Sequence, residues 1–136
     1  MMFLISVLVG GVAAYALGVV WYMTLGSLWM KAARLTSEQL SSDAPGFQVN
    51  QGLAYGLTFL MWLFASFVMQ AHLLPMAVAA GVNPFRAVVG MWIAFGLLST
   101  LLSTLYGFRG KNLIWIDAGY VLCGSLLITA AFVLLN

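Results

Sequence analysis

The sequence predicts an all-α integral membrane protein, a bundle of four transmembrane helices with a short interfacial helical segment between helices 1 and 2. Of its 136 residues, 64% are hydrophobic and only 6% are charged, whereas an ordinary soluble domain carries about 25% charged residues. The charges leave four long uncharged stretches, and a bilayer core needs roughly 20 apolar residues per spanning helix. We therefore expect residues 1–136 to form a single four-span transmembrane domain.

The first span is predicted at about residues 2–25, and this apolar run is too long for the core of a cleaved signal peptide. Small residues recur along it at a strict spacing of four: Ser6, Gly10, Ala14 and Gly18. Such a stripe lets two helices approach until their backbones touch. The stripe is thus a predicted helix-packing interface, either between subunits or within one chain. Gly52 and Gly56 repeat the spacing more weakly at the start of the second span.

The longest predicted connection covers residues 27–51. Its first part, residues 28–35, combines Trp29 and two leucines with two basic residues, a composition that suits a helix lying in the headgroup layer. The Thr-Ser-Glu-Gln segment at residues 36–39 has the spacing of a capping box. We therefore expect a second short helical start before the chain re-enters the membrane.

The second span is predicted at about residues 52–73 and the third at about residues 85–106. Asn83 followed by Pro84 provides an N-cap and an N1 proline, which marks the start of the third helix. At 100° per residue, one side of this helix collects small and hydroxyl residues: Gly96, Ser99, Thr100, Ser103 and Gly107, with Trp92 and Tyr106 at the edge. This face indicates either helix packing through hydroxyls bonded one turn back, or the polar lining of a small cavity.

The fourth span is predicted at about residues 113–135 and contains Asp117, the only acidic residue within a span. A carboxylate in hydrocarbon costs several kcal/mol unless it is paired or reaches water. We expect it to point into the bundle and accept hydrogen bonds. The candidate polar site comprises Asp117, Tyr120, Ser103, Tyr106, Trp21, Tyr22 and Trp29. The carboxylate is either structural or handles protons or cations, and an enzymatic role is a third possibility.

Basic residues flank the first and third connections: Lys31, Arg34, Arg109 and Lys111, whereas Arg86 lies on the other side. The positive-inside rule predicts cytoplasmic connections there and both termini outside the cytoplasm.

The charged residues are too sparse for a nucleic-acid interface. The single Cys123 precludes an intrachain disulfide, and the single His72 cannot form a two-histidine metal or haem site. No cofactor is therefore expected.

Several short motifs resemble those of the bacterial membrane-protein family catalogued as domain of unknown function 1761. They are Trp21-Tyr22, Trp29-Met30-Lys31, the Thr-Ser-Glu-Gln start and Ile116-Asp117-Ala118-Gly119-Tyr120. The resemblance covers nearly the whole chain. It implies a four-helix membrane domain without an assigned activity, and we expect the bacterial inner membrane as its location.

Function is less constrained than fold, because no catalytic motif occurs in the chain. The first expectation is a non-enzymatic protein that acts by association, as a homo-oligomer or as an accessory subunit of a membrane complex surrounded by lipid. The alternative is a small transporter or channel with Asp117 as the titratable group in a cytoplasm-facing cavity. A membrane enzyme acting on a lipid or quinone would need several convergent polar groups, which only the Asp117 cluster offers.

Overall fold

The computed structural model describes residues 1–35, 51–107 and 109–136, and within these ranges every regular element is helical. Four helices are long and apolar enough to cross a membrane: α1 (Met2–Ala33), α2 (Gly52–Ala79), α3 (Pro84–Tyr106) and α4 (Asn112–Leu135). The predicted all-α architecture with four membrane-length helices is confirmed. The capping box predicted at residues 36–39 lies outside the described residues.

Helix α1 continues to Ala33 rather than ending near residue 25. The predicted interfacial segment is therefore helical as far as Ala33, and it extends α1 without a break. No proline interrupts this stretch, so the change from apolar to basic composition does not end the helix. The helix ends at Arg34, whose left-handed backbone (φ 57°, ψ 37°) allows the Leu35 N–H to donate to the Met30 carbonyl at 3.0 Å.

Helices α2 and α3 each contain a π-helical turn, over Met69–Leu73 in α2 and Trp92–Leu97 in α3. A π turn inserts one extra residue and shifts the register of every side chain that follows. Helix α2 then continues to Ala79, beyond the predicted end at residue 73. Asn83 caps α3 as predicted, because its side chain accepts a hydrogen bond from the Phe85 N–H at 3.0 Å.

Helices α1 and α4 form the central pair of the bundle. Helix α2 packs mainly against α1, and α3 packs against α4. Within an apolar 18-residue stretch, 33% of the residues of α1 and 33% of those of α4 are buried. The corresponding share is only 6% for α2 and 11% for α3. Most of the surface of α2 and of α3 therefore faces away from the other helices.

The small-residue stripe of α1 is buried inside this chain. A Cβ added at Gly10 would lie 2.9 Å from Ser66 Oγ on α2 and 3.2 Å from the Ile128 Cα on α4. Of the two expected roles, the stripe therefore serves packing within one chain, because α2 and α4 of the same chain already lie against its small residues. Gly56, in contrast, has no atom within 4 Å of an added Cβ, and both it and Gly52 are exposed on α2.

A buried polar cluster joins α1, α2 and the end of α4 at the side opposite the basic connections. The Gln70 amide, 1% exposed, donates from Nε2 to the Ser6 carbonyl at 3.0 Å and accepts from the Ser6 hydroxyl. The Ser66 hydroxyl donates to the Val7 carbonyl at 2.8 Å, and Asn136 Nδ2 donates to Ser6 Oγ at 2.8 Å. Polar contacts of this kind hold membrane helices together, because lipid offers them no alternative partner.

Candidate functional site

The carboxylate of Asp117 faces α1 and is half-buried. Its Oδ1 accepts a hydrogen bond from the Tyr22 hydroxyl at 2.8 Å and another from Trp29 Nε1 at 3.0 Å. Both donors are neutral, so the carboxylate is stabilised by dipoles and not by a cation. This contact depends on the continuation of α1 beyond residue 25, because Trp29 lies on that last part of the helix.

Indole N–H groups converge on one short segment of α4. Trp21 Nε1 donates to the Ile116 carbonyl at 3.0 Å, and Trp92 Nε1 donates to the Ala118 carbonyl at 2.7 Å. Together with Trp29, three indoles therefore bind three consecutive residues of α4. A carbonyl oxygen has two lone pairs, so it can accept an indole N–H while it also accepts the helical N–H. The segment around Asp117 is thereby held between α1 and α3.

Ser103 and Tyr106, which the sequence predicted beside Asp117, are not part of this cluster. The Ser103 hydroxyl is exposed and donates to the Thr100 carbonyl at 3.0 Å, and Tyr106 is 80% exposed. The sequence placed them beside Asp117 by their depth, counted across the short connection between α3 and α4, and depth does not say which face of α3 meets α4. The π turn over Trp92–Leu97 changes that face, because it breaks the regular 100° per residue of an α-helix. The extra residue of the π turn brings Thr104, 4% exposed, to the packed face in place of Ser103.

Two hydroxyl groups of α3, those of Thr100 and Ser103, donate to backbone carbonyls of the same helix. Thr100 Oγ1 donates to the Gly96 carbonyl one turn back, at 2.9 Å. A hydroxyl bonded one turn back is the arrangement that the packing interpretation of the polar face expects. Trp92, which the sequence placed only at the edge of that face, is the α3 residue that contacts α4 by a hydrogen bond. Sequence spacing missed it because the acceptor is a backbone carbonyl, which leaves no residue-type signal.

An aromatic chain continues from the Asp117 cluster into the bundle core. Its rings meet edge to face with centroids 5.3–6.2 Å apart, in the order Trp29, Tyr22, Tyr120 and Trp62. The buried Tyr120 ring fits only because Gly18 lies opposite, and its hydroxyl donates to the Ala14 carbonyl at 3.4 Å. The small-residue stripe and the polar site are therefore parts of one packed unit.

A groove of about 620 Å³ opens between α1, α2 and α4 beside Tyr22. Its lining includes four tyrosines and two small residues: Tyr15, Tyr22, Tyr55, Tyr120, Gly18 and Thr58. We call it the tyrosine groove. Its volume lies within the roughly 300–1,000 Å³ of small-molecule sites, and no basic side chain occurs among its described lining residues. Tyr22 belongs both to this groove and to the Asp117 cluster, so the two features are directly connected.

Metal-binding groups are absent from the described ranges, where no three His, Cys, Asp or Glu side chains converge. His72 is exposed, and Cys123 is half-buried. Asp117 is the only side-chain carboxylate in residues 1–35, 51–107 and 109–136. Within these ranges the acidic side-chain chemistry is therefore limited to one carboxylate, which neutral donors hold next to an aromatic groove.

The family model for a protein of unknown function, DUF1761, matches residues 5–134. Comparisons with curated proteins and with solved structures give no match. The matched region contains the Trp21-Tyr22 pair, Trp29 and the Asp117 segment, on which the resemblance was based. Since it spans nearly the whole chain, this protein belongs to the DUF1761 family.

Proposed function

We propose that the protein is a small, non-enzymatic membrane transporter whose solute is an organic cation, bound in the tyrosine groove, with Asp117 as the titratable group behind it. One observation carries this proposal. The carboxylate of Asp117 lies within a span and is bonded by neutral donors, and one of those donors, Tyr22, also lines the groove. Ionisable residues inside a membrane are rare, and they mark substrate and ion pathways or proton relays.

The groove has the chemistry that attracts a positive ligand. Aromatic rings carry a negative face, so several tyrosines around one space favour a cation over a neutral or anionic molecule of the same shape. A carboxylate behind Tyr22 adds a longer-range attraction to a cation, and such an attraction is weakly screened where water is excluded. The described lining residues include no positive side chain to oppose it. A lipophilic cation that enters from the bilayer thus meets both features together.

Binding can be tested with two ions of the same shape and opposite charge. In phosphatidylcholine nanodiscs, after subtraction of binding to empty nanodiscs, we expect tetraphenylphosphonium to bind at least about tenfold more tightly than tetraphenylborate, a difference of about 1.4 kcal/mol. Asp117→Asn and Tyr22→Phe should weaken binding of the cation. Tyr106→Phe, which changes an exposed tyrosine outside the groove, should leave it unchanged. Equal binding of both ions would contradict the proposal.

Transport is a separate arm of the same test. Ethidium that enters proteoliposomes with entrapped DNA becomes fluorescent, so its uptake is measured directly. We expect faster uptake with the wild-type protein than with protein-free liposomes, and the protein-free rate with Asp117→Asn. Wild-type uptake at the protein-free rate would show that the chain is no transporter for this cation class.

We also propose that both termini lie outside the cytoplasm in the bacterial inner membrane. Four basic residues occupy the end of α1 and the connection between α3 and α4, against Arg86 at the other end. This orientation would place the tyrosine groove in the cytoplasmic half. Reporter fusions at Asn136 test it, since alkaline phosphatase is active only outside the cytoplasm and would be inactive there if the orientation were reversed.

Association with a second copy is the other candidate function, and the sparse burial of α2 and α3 favours it. The outward face of α3 carries the exposed residues Ser99 and Ser103, and small or hydroxyl residues are typical of helix interfaces in membranes. In a Cys123→Ser background, we expect Ser99→Cys to form a disulfide between copies in nanodiscs on mild oxidation. Thr104→Cys, at a position buried inside the chain, is the matched control and should stay monomeric.

A further inference from the structure

A second, smaller pocket of about 260 Å³ lies at the basic end of the bundle, where α1, α3 and α4 meet. Its lining combines three cationic side chains with Thr104 and two apolar ones: Arg34, Arg109, Lys111, Leu105 and Ile114. We call it the basic pocket. We infer that the basic pocket is a binding site for a phosphate group. This inference does not depend on the tyrosine groove, which has a different lining.

The backbone builds this pocket by joining the connection between α3 and α4 to the end of α1. The Gly110 N–H donates to the Ala32 carbonyl at 2.7 Å, and a Cβ at Gly110 would lie only 3.0 Å from that oxygen. Arg109 is anchored by its N–H, which donates to the Thr104 carbonyl at 3.1 Å. The left-handed backbone of Arg34 turns the chain at the same place. Cations distant in sequence are therefore brought to one pocket by fixed backbone contacts.

An apolar cluster is formed by residues that neighbour the pocket residues in the chain. Leu113 is fully buried and packs with Ala32 and Ala33, and Trp29 packs on the same cluster. The first turn of α4 is thus fixed against the last turn of α1 directly beside the basic residues. Binding sites gain affinity when their groups are held in place before the ligand arrives.

The positive charge of the basic pocket is not compensated by the described part of the chain. The only side-chain carboxylate there belongs to Asp117, and it accepts from Tyr22 and Trp29 instead. Glu38 and Asp43 lie outside the described residues. Like charges held close together repel one another, and an anion between them removes that repulsion. Two guanidinium groups and an ammonium suit phosphate, whose oxygens accept paired N–H bonds from arginine.

The phosphate group belongs either to a lipid headgroup or to a soluble phosphate. The pocket lies at the ends of three membrane-length helices, and its lining includes the apolar Leu105 and Ile114 beside the cations. Basic pockets between transmembrane helices bind anionic headgroups in this way, with the lipid tail along the apolar side. In both cases arginine and lysine side chains hold a phosphate group. The experiment below distinguishes a lipid headgroup from a soluble phosphate.

The test measures thermal unfolding of the purified protein in dodecyl maltoside. We expect dioleoyl phosphatidylglycerol to raise the midpoint by about 4 °C or more relative to phosphatidylcholine. Inorganic phosphate and glycerol 3-phosphate at millimolar concentration form the second arm. A rise with the lipid alone identifies a headgroup site, and an equal rise with the soluble ions identifies a free-phosphate site.

Variants separate this pocket from a general response to charge. Arg34→Gln, Arg109→Gln and Lys111→Gln should each remove most of the anion-dependent rise. Lys31→Gln at the same end and Arg86→Gln at the other end should keep it, because neither residue lines the pocket. Native mass spectrometry provides a second readout, with one phosphatidylglycerol retained by the wild type and lost in the pocket variants. Equal loss in all five variants, or no rise with any anion, would overturn the inference.

Discussion

Replacing Gly18 with alanine is expected to lower the free energy of unfolding by about 1 to 3 kcal/mol, as overpacking of a filled core does. A Cβ at this position would lie 2.7 Å from Tyr120 Cζ and closer still to the hydroxyl oxygen. The ring cannot simply move away, because Trp62 and Tyr22 pack against it edge to face. Leucine at position 18 should prevent the α1–α4 pairing altogether.

The direction of the change in stability separates a packing effect from a change in helix propensity. Alanine is a better helix former than glycine by about 1 kcal/mol, so Gly→Ala stabilises a helix wherever there is space. Gly26 lies on the same helix with nothing within 4 Å of an added Cβ. Gly26→Ala should therefore leave stability unchanged or raise it. Unfolding in a detergent titration, followed by tryptophan fluorescence, measures both variants, and the same loss in both would contradict the packing at Gly18.

The second large effect is expected for Asp117→Ala. This change leaves the Tyr22 hydroxyl and the Trp29 N–H without their acceptor. Each donor that remains buried and unpaired costs about 1 to 3 kcal/mol. Asp117→Asn keeps an oxygen in the same place, so it should lose much less stability. The difference between the two variants, measured by the same unfolding titration, reports the two hydrogen bonds.

Comparison of the asparagine variant in stability and in binding separates the two roles of Asp117. A structural carboxylate should tolerate asparagine in both measurements. If the carboxylate binds a cation or carries a proton, the asparagine variant should keep its fold and lose cation binding and uptake. Equal destabilisation by alanine and asparagine would mean that the hydrogen bonds to Tyr22 and Trp29 do not hold this part of the bundle.

Local composition was sufficient to predict the main features of the fold. The four uncharged stretches predicted four membrane-length helices, and Asn83-Pro84 predicted the start of α3. These features depend on neighbours in the chain, since length, hydropathy and capping are properties of one segment. The expectation that Asp117 turns toward the Trp21-Tyr22 end of α1 came from the cost of exposing a carboxylate to lipid.

The tertiary structure decided how side chains share faces across helices. The π turn of α3 placed Thr104 inside and left Ser103 and Tyr106 outside, because one inserted residue rotates everything after it. Likewise, only the packed bundle shows that the stripe of α1 is already filled by α2 and α4. A stripe of small residues specifies close approach but not the partner, since the sequence pattern is the same whether the second helix belongs to the same chain or to another.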